Sequence, residues 1–329
     1  MTSRVRTPAP RARTVPLAVF GFVALSFACA VPAPPPAAPI PTGGLPALDS
    51  ARLISDVFRL AHDSMAGRAA MTPENVKARV WLESEFRRIG LQPVAGRYVH
   101  AWARARRAGA DSVRGANVLG LIRGRIDAAR VIVVSAHYDH VGTRNGQVYN
   151  GADDNASGTA AVLAMAAHFK LHPPAHTILF ALWDAEEMGL LGARAFVDAP
   201  AVPLASIAAN VNLDMVSRND RGQLYAAGAT PWPAMRPLLE SLVSVASVKL
   251  ILGHDRGGGQ DDWTDQSDQG AFNAARIPFV YFGVEDHPDY HKPTDEPERI
   301  QPGFFYRAAR TIAGFVERLD AAVAGWPAR

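Results

Sequence analysis

Short, almost uniformly apolar runs recur along this chain at 117–122, 131–136, 177–183, 207–213 and 277–282. Runs of that length, rich in branched aliphatic residues and without polar alternation, predict strands covered on both faces. Between and around them, apolar residues return every three or four positions, which predicts helices at about 48–62, 73–89, 156–170, 232–245 and 304–323. Strands alternating with helices predict an α/β fold: a three-layer α/β/α sandwich around a mixed, largely parallel sheet. No internal repeat and no second block of composition calls for another domain.

The first residues break this pattern. Arg4, Arg6, Arg11 and Arg13 precede an apolar run at 15–27, and the small residues Ala28, Cys29 and Ala30 follow. That is the make-up of a cleaved export signal, and the run is shorter than the roughly 20 residues a membrane-spanning helix needs. Two cleavage readings stay open. Leu25-Ser26-Phe27-Ala28-Cys29 resembles a bacterial lipoprotein signal in which Cys29 is lipidated and becomes the new terminus, although Ser26 stands where leucine is usual. Ala28-Cys29-Ala30 also satisfies the small-x-small rule of an ordinary signal peptide. Seven prolines within 31–47 then make an extended tether. The expected organisation is a signal peptide at 1–29, a Pro-rich linker at 30–47 and one folded domain at 48–329, exported to a bacterial periplasm or cell envelope, or secreted.

Charge and cysteine content narrow the classes. The whole chain carries 34 basic and 31 acidic side chains, but with the four leader arginines removed, residues 31–329 hold 30 against 31. A general polyanion binder is therefore excluded, and no nucleic-acid partner is expected. One cysteine, Cys29, forms no intramolecular disulfide and no thiolate cluster. Any metal must be held by His, Asp and Glu.

Such residues gather where the predicted strands end, the edge at which open α/β sheets place their sites. The second strand runs into His137-Tyr138-Asp139-His140, the third into Asp184-Ala185-Glu186-Glu187, and the fourth into Asp214. Asn150 to Asn155 open a helix, and Tyr290-His291 follow the last strand. Three carboxylates and two imidazoles from different strand ends suit a pair of zinc-type ions, with one carboxylate bridging. Without cations the same groups would repel one another and resist burial.

Five ordered motifs, AHYDHVG (136–142), NGADDNASG (150–158), WDAEEMGLLGA (183–193), NLDM (212–215) and DYHKPTD (289–295), give residues 115–301 a resemblance to a known family. They resemble the co-catalytic two-zinc aminopeptidases, zinc exopeptidases related to bacterial leucyl aminopeptidase, glutamate carboxypeptidase and glutaminyl cyclase. The resemblance implies a zinc exopeptidase-like fold at 48–329 and two Zn²⁺ ions, for which Co²⁺ or Mn²⁺ could substitute. It implies that His137 and Asp214 complete one metal site, Glu187 and His291 the other, and that Asp154 bridges them. Glu186 is the implied general base, and the Asp154-Asn155 peptide is implied to be cis. The chemistry agrees: water shared by two divalent ions loses a proton near neutral pH, and a neighbouring carboxylate can pass the remaining proton to a leaving amine. Asp139 is expected to accept the other ring N–H of His137 and fix its tautomer. Gly151 and Gly158 are expected to permit close backbone approach.

The remaining polar residues read less sharply. His140 is expected to be a pocket-wall or loop residue rather than a ligand. His62, His100, His168, His172, His176, His254 and His287 have no partners at telling spacing and are expected to be solvated. Asp153 and Asp184 read equally as acceptors behind the ligands or as turn formers. Ser267-Asp268-Gln269 stands where relatives often have Ser-Asp-His, which puts a substrate role for Gln269 in doubt. The Gly257-Gly258-Gly259 run reads as a rim loop, and Trp183, Trp263, Phe272 and Tyr290 as pocket or core aromatics.

The activity expected is removal of N-terminal residues from peptides. A single-zinc glutaminyl-peptide cyclotransferase and a carboxypeptidase of the same fold are the alternatives. Relatives of the cyclase kind tend to carry Trp where Tyr290 stands, and a carboxypeptidase for acidic termini would want an arginine cluster. A metal-free binding protein would need a broken ligand set, and none is broken. Specificity and oligomeric state are not legible.

Overall fold

β7 (His176–Trp183) is buried at every position, and the architecture follows from what covers it. The structure is a computed structural model that describes residues 45–105, 112–255 and 261–326. The expected signal peptide at 1–29, most of the linker at 30–47 and the Gly257-Gly258-Gly259 run lie outside the described residues.

In chain order the helices are α1 (Ser50–Leu60), α2 (Pro73–Ile89), α3 (Gly158–Leu171), α4 (Leu191–Asp198), α5 (Arg236–Val243), α6 (Gln269–Ala274) and α7 (Pro302–Ala322). The remaining strands are β1 (Gln92–Pro93), β2 (Val99–Ala105), β3 (Ser112–Ile122), β4 (Asp127–His137), β5 (Gly142–Arg144), β6 (Gln147–Tyr149), β8 (Ile207–Leu213), β9 (Gln223–Ala227), β10 (Lys249–Leu252) and β11 (Phe279–Gly283). The main sheet runs β1-β3-β7-β4-β8-β11-β9-β10, with β2 added to β3. Its centre is parallel, because β4 pairs in parallel with both β7 and β8, and β8 with β11. Its flanks turn antiparallel at β3 against β7 and at β11 against β9. The expected three-layer sandwich is the architecture found, with the parallel character concentrated in the four strands that carry the site.

The period of two along each strand divides the core. Ile178, Phe180 and Leu182 of β7 join Ile132 and Val134 of β4 under α1, α2, α3, α5 and α7. Leu179, Ala181 and Trp183 face the other way, with Val131 and Val133, onto α4 and α6. Successive side chains of a strand point to opposite faces, so a strand covered twice must be apolar throughout. α3, with the sequence GTAAVLAMAAHFKL, is apolar on nearly every side and is correspondingly buried. α2 has sharp ends: Thr72 Oγ1 accepts from the Asn75 N–H at 3.2 Å, Pro73 opens the first turn, and Gly90 closes it at φ 82°. Among the described residues no helix is long and apolar enough to cross a membrane.

Candidate metal centre

β7, β4, β8 and β11 are neighbours running the same way, so their carboxyl ends lie side by side. His137 is the last residue of β4. Asp214 follows β8, its N–H held by Phe282 O at 3.0 Å. After β7 the chain leaves the extended state at Ala185 (φ 57°), and Glu186 O accepts from the N–H groups of Gly189 and Leu190, both at 2.8 Å. That turn frees Glu186 and Glu187 from strand alternation, so both reach the site.

Asp154 lies in a wide helical turn spanning Ala152–Ser157 that is entered through Gly151 at φ 56°, and the Asp154–Asn155 peptide is cis. A Cβ at Gly151 would stand 2.1 Å from Asp154 O and 2.5 Å from the His140 ring, so only glycine fits. At Gly158 a Cβ would meet Asn155 Oδ1 at 2.3 Å and Leu213 O at 2.6 Å. His291 sits in the loop after β11, stacked on Tyr290 with ring centroids 4.0 Å apart.

These elements gather two donor groups that share Asp154. His137, Asp154 and Asp214 form one, and His140, Asp154, Glu187 and His291 the other; within each, one potential ligand atom per residue lies within 4.8 Å of the rest. His137 Nε2 is 3.2 Å from Asp214 Oδ1 and 3.4 Å from Asp154 Oδ1. His291 Nε2 is 2.9 Å from Asp154 Oδ2 and 3.2 Å from Glu187 Oε2. Imidazole nitrogen and carboxylate oxygen are the donors zinc-type ions take, and the buried His140 nitrogens and Glu187 Oε1 have no hydrogen-bond partner. The residues fit divalent cations.

Glu186 stands apart from both groups, its Oε2 4.0 Å from His137 Nε2. Burial pushes its carboxyl well above the usual range, and Asp268, Asp214 and Glu187 add to the rise against the pull of His137. Burial likewise raises Asp214, opposed by His137, and lifts Asp268 to about 7. For His291 burial works downward, but the hydrogen bonds and charges of Asp154 and Glu187 outweigh it and raise the imidazole to about 10. Burial would raise Glu187 as well, but His140 and His291 outweigh it and hold that carboxyl below the usual range; a cluster whose carboxylates lift its imidazoles is one that draws positive charge.

The support beneath the ligands differs in part from expectation. His137 Nδ1 faces the backbone carbonyl of Asp139 at 3.1 Å, whereas the Asp139 carboxylate is 3.7 Å away and accepts the Glu186 N–H at 3.0 Å instead. A carbonyl only accepts, so Nδ1 carries the proton and the Nε2 lone pair faces the site. Asp139 thus fixes the histidine through its main chain and the base through its side chain.

His140, expected at the pocket wall, lies inside a donor group because the turn after β4 folds it back under Gly151. Of the histidines expected to be solvated, His168 and His176 are buried against Glu317 and Asp320, and His287 contacts Asp153 at 3.1 Å. Their acidic partners are 134 to 149 positions away in sequence, where spacing reveals nothing. Asp153 accepts from both the N–H and the hydroxyl of Ser217, and Asp184 from Asn75 and the Ala116 N–H. Gln269 is buried between Trp263 O and Asn212, a packing role that leaves it facing no substrate. Trp183 and Phe272 are core residues, while Trp263 and Tyr290 line the site.

Two supports escaped the sequence reading. Arg68, fully buried, donates to the carbonyls of Leu60, Tyr138, Asn150 and Gly151 and so ties the His137–His140 turn to the Asp154 loop. Asp295 accepts the N–H groups of Asp153 and Asp154. The site cavity holds about 90 Å³ and is walled by Glu186, Met215, Trp263, Val284, Asp286 and Tyr290 beside the ligands. A larger cavity of about 640 Å³, bordered by Asp127, Arg130, Trp232 and Trp326, contains neither donor group.

Residues 117–316 match peptidase family M28. The chain belongs to that family. Over 209 residues this M28 chain is 32% identical to aminopeptidase YwaD of Bacillus subtilis, covering 61% of the chain and 44% of that protein. Over 201 residues it is 31% identical to a probable glutamate carboxypeptidase of Arabidopsis thaliana, covering 54% of the chain and 26% of that protein. The chain therefore spans less than half the length of either relative. Its fold is similar to a zinc aminopeptidase from Bacillus subtilis, with a TM-score of 0.64 at 20% identity, covering 83% of this chain and 95% of that one. It is also similar to a glutaminyl cyclase of Fimbriiglobus ruber, with a TM-score of 0.68 at 21% identity, covering 84% and 98%. At those identities the likeness speaks for the fold, which the M28 chain shares with both kinds of enzyme.

Proposed function

We propose that this chain is an exported metallo-aminopeptidase that hydrolyses N-terminal residues from peptides with two zinc ions and Glu186 as general base. The observation that carries the reading is the pair of donor groups meeting at Asp154, one built on His137 and Asp214 and the other on Glu187 and His291. When bound, the ions would supply an activated water near neutral pH and polarise the scissile carbonyl.

The chain's own residues divide the remaining work. Glu186 is held by its N–H on Asp139 and stays free of both donor groups, so its carboxylate can take a proton and return it to the leaving amine. Burial raises its pKa above the usual carboxyl range, the direction in which a carboxylate that exchanges protons is tuned. Beside the ligands, Glu186 and Asp286 are the acidic residues of the cavity wall, and carboxylates there favour a free α-ammonium group. Among the described residues that line it there is no lysine or arginine, which weighs against a pocket for an acidic C-terminus. Trp263, Tyr281 and Tyr290 offer apolar surface to the first side chain.

The test is one panel on the purified protein: metal analysis, aminoacyl amide hydrolysis, and an N-terminal glutaminyl peptide. Two zinc ions with release of the first residue is the expected result; one ion with ring closure identifies a cyclase and overturns it. Export rests on residues 1–30 alone, and the mass of the mature N-terminus decides between a lipidated Cys29 and cleavage after Ala30.

A further inference from the structure

We propose that His140 is a fourth protein ligand of the cation held by Glu187 and His291, which makes the centre unequal: one site held by four side chains, the other by three. The inference rests on the dinuclear reading above, with its shared water, and adds to it which ion is held more firmly and which has more room for substrate.

The His140 side chain is wholly buried, and neither ring nitrogen has a hydrogen-bond partner. A buried imidazole left so is costly and calls for an explanation. Its Nδ1 lies 2.8 Å from Glu187 Oε1, yet Oε1 is also without a partner. The two atoms are close enough for a hydrogen bond but are not aligned for one. Atoms whose lone pairs converge on a common third point behave in this way. Ligand atoms each about 2.0–2.1 Å from a tetrahedral zinc-type ion stand roughly 3.3 Å apart. The separations here bracket that value: 2.8 Å from His140 Nδ1 to Glu187 Oε1, 3.5 Å from His140 Nδ1 to Asp154 Oδ2, 2.9 Å from Asp154 Oδ2 to His291 Nε2, and 3.2 Å from His291 Nε2 to Glu187 Oε2.

The ring is also held in place. Gly151 packs so closely that a Cβ there would come 2.5 Å from two atoms of the imidazole. Arg68 fixes the carbonyls of Tyr138, Asn150 and Gly151 on the two segments that bracket His140. The partner group offers only His137, Asp154 and Asp214, so its cation would keep a position for a non-protein ligand, the arrangement of a catalytic rather than a structural site.

The alternative is that His140 only orients the Glu187 carboxylate. A crystal structure of the full chain loaded with zinc, phased at the zinc edge, separates the two. The expected result is a His140 nitrogen about 2.0–2.1 Å from the ion beside His291. Both ions present with that nitrogen beyond about 3 Å would overturn the inference and leave the dinuclear reading standing. No ion between Glu187 and His291 would sink both. In solution, zinc titration of His140→Ala should show one of two sites weakened roughly 100-fold or more, at least the largest loss seen for an outer partner. Two sites as tight as in the unsubstituted protein would overturn the inference.

Discussion

Asp295 Oδ2 accepts the backbone N–H of Asp154 at 3.0 Å, and the same carboxylate takes the N–H of Asp153. The loop that carries His291 thereby grips the loop that carries the residue common to both donor groups. An amide in place of this carboxylate has one acceptor atom and turns N–H groups toward N–H groups. Asp295→Asn should lower zinc affinity about 10–100-fold, as removal of an outer partner does, with the fold retained. Competition against a zinc chelator, with circular dichroism alongside, checks this; unchanged affinity would show that the grip is not needed.

Arg68 binds four backbone carbonyls that water cannot reach. Removing the guanidinium orphans all of them, at about 1–3 kcal/mol for each group left unmade and partly relaxed. Arg68→Met should cost on the order of 3–5 kcal/mol and lower Tm by roughly 10 °C. Arg68→Lys should recover little of it, because an ammonium lacks the planar fork that reaches several carbonyls at once. Scanning calorimetry on both variants measures the difference, and a lysine as stable as arginine would refute the geometric argument.

The parts of this molecule that were legible in sequence are those whose cause is local. β7, β8 and the 131–136 part of β4 read as strands because they are largely apolar; His137, Glu187, Asp214 and His291 stood out because each ends or follows a strand, and Asp154 because it lies in the polar motif that opens a helix. β2 did not stand out, since its residues are half exposed and alanine alternates with polar or aromatic neighbours. α4 and α6, of eight and six residues, are too short to show a helical period. The β5–β6 hairpin had a local signal that could have been used: Asn145-Gly146, both at positive φ, as a two-residue hairpin turn requires. Arg68 and Asp295 offered none, because they act across 70 and 141 positions on main-chain groups that carry no sequence mark. His140 stood beside His137 in plain view, but only the turn beneath Gly151 decides which way it faces.

Glu186 tests the catalytic reading most directly. It lies outside both donor groups, so its loss should leave the metals in place. Glu186→Gln keeps the shape and cannot accept a proton; kcat should fall about 10²- to 10⁴-fold, the range for a positioned acid-base group. Zinc content by mass spectrometry should match that of the unsubstituted protein. A variant that loses zinc along with activity would make Glu186 a ligand, and one that keeps its rate would remove it from the mechanism.

Asp268 gives the centre a dependence on pH that cations should suppress. It is fully buried with both oxygens unpartnered; burial lifts it to about 7, with His137 pulling down and Asp214 pushing up. Unfolded, it titrates near the ordinary value of about 3.9. Between those values the metal-depleted native chain holds a proton that the unfolded chain has lost. This contribution to stability is therefore present below about pH 4 and falls away as pH rises toward 7. Asp268→Asn has the same shape and no charge to bury. Its urea-unfolding stability should match that of the unsubstituted protein near pH 4 and exceed it above pH 7 by at most on the order of 4 kcal/mol. Loading with zinc should narrow the gap, because the ions neutralise the charge that Asp268 otherwise faces. Stability curves for the two metal-depleted proteins that run parallel from acid to neutral pH would show that the buried carboxyl carries no such penalty.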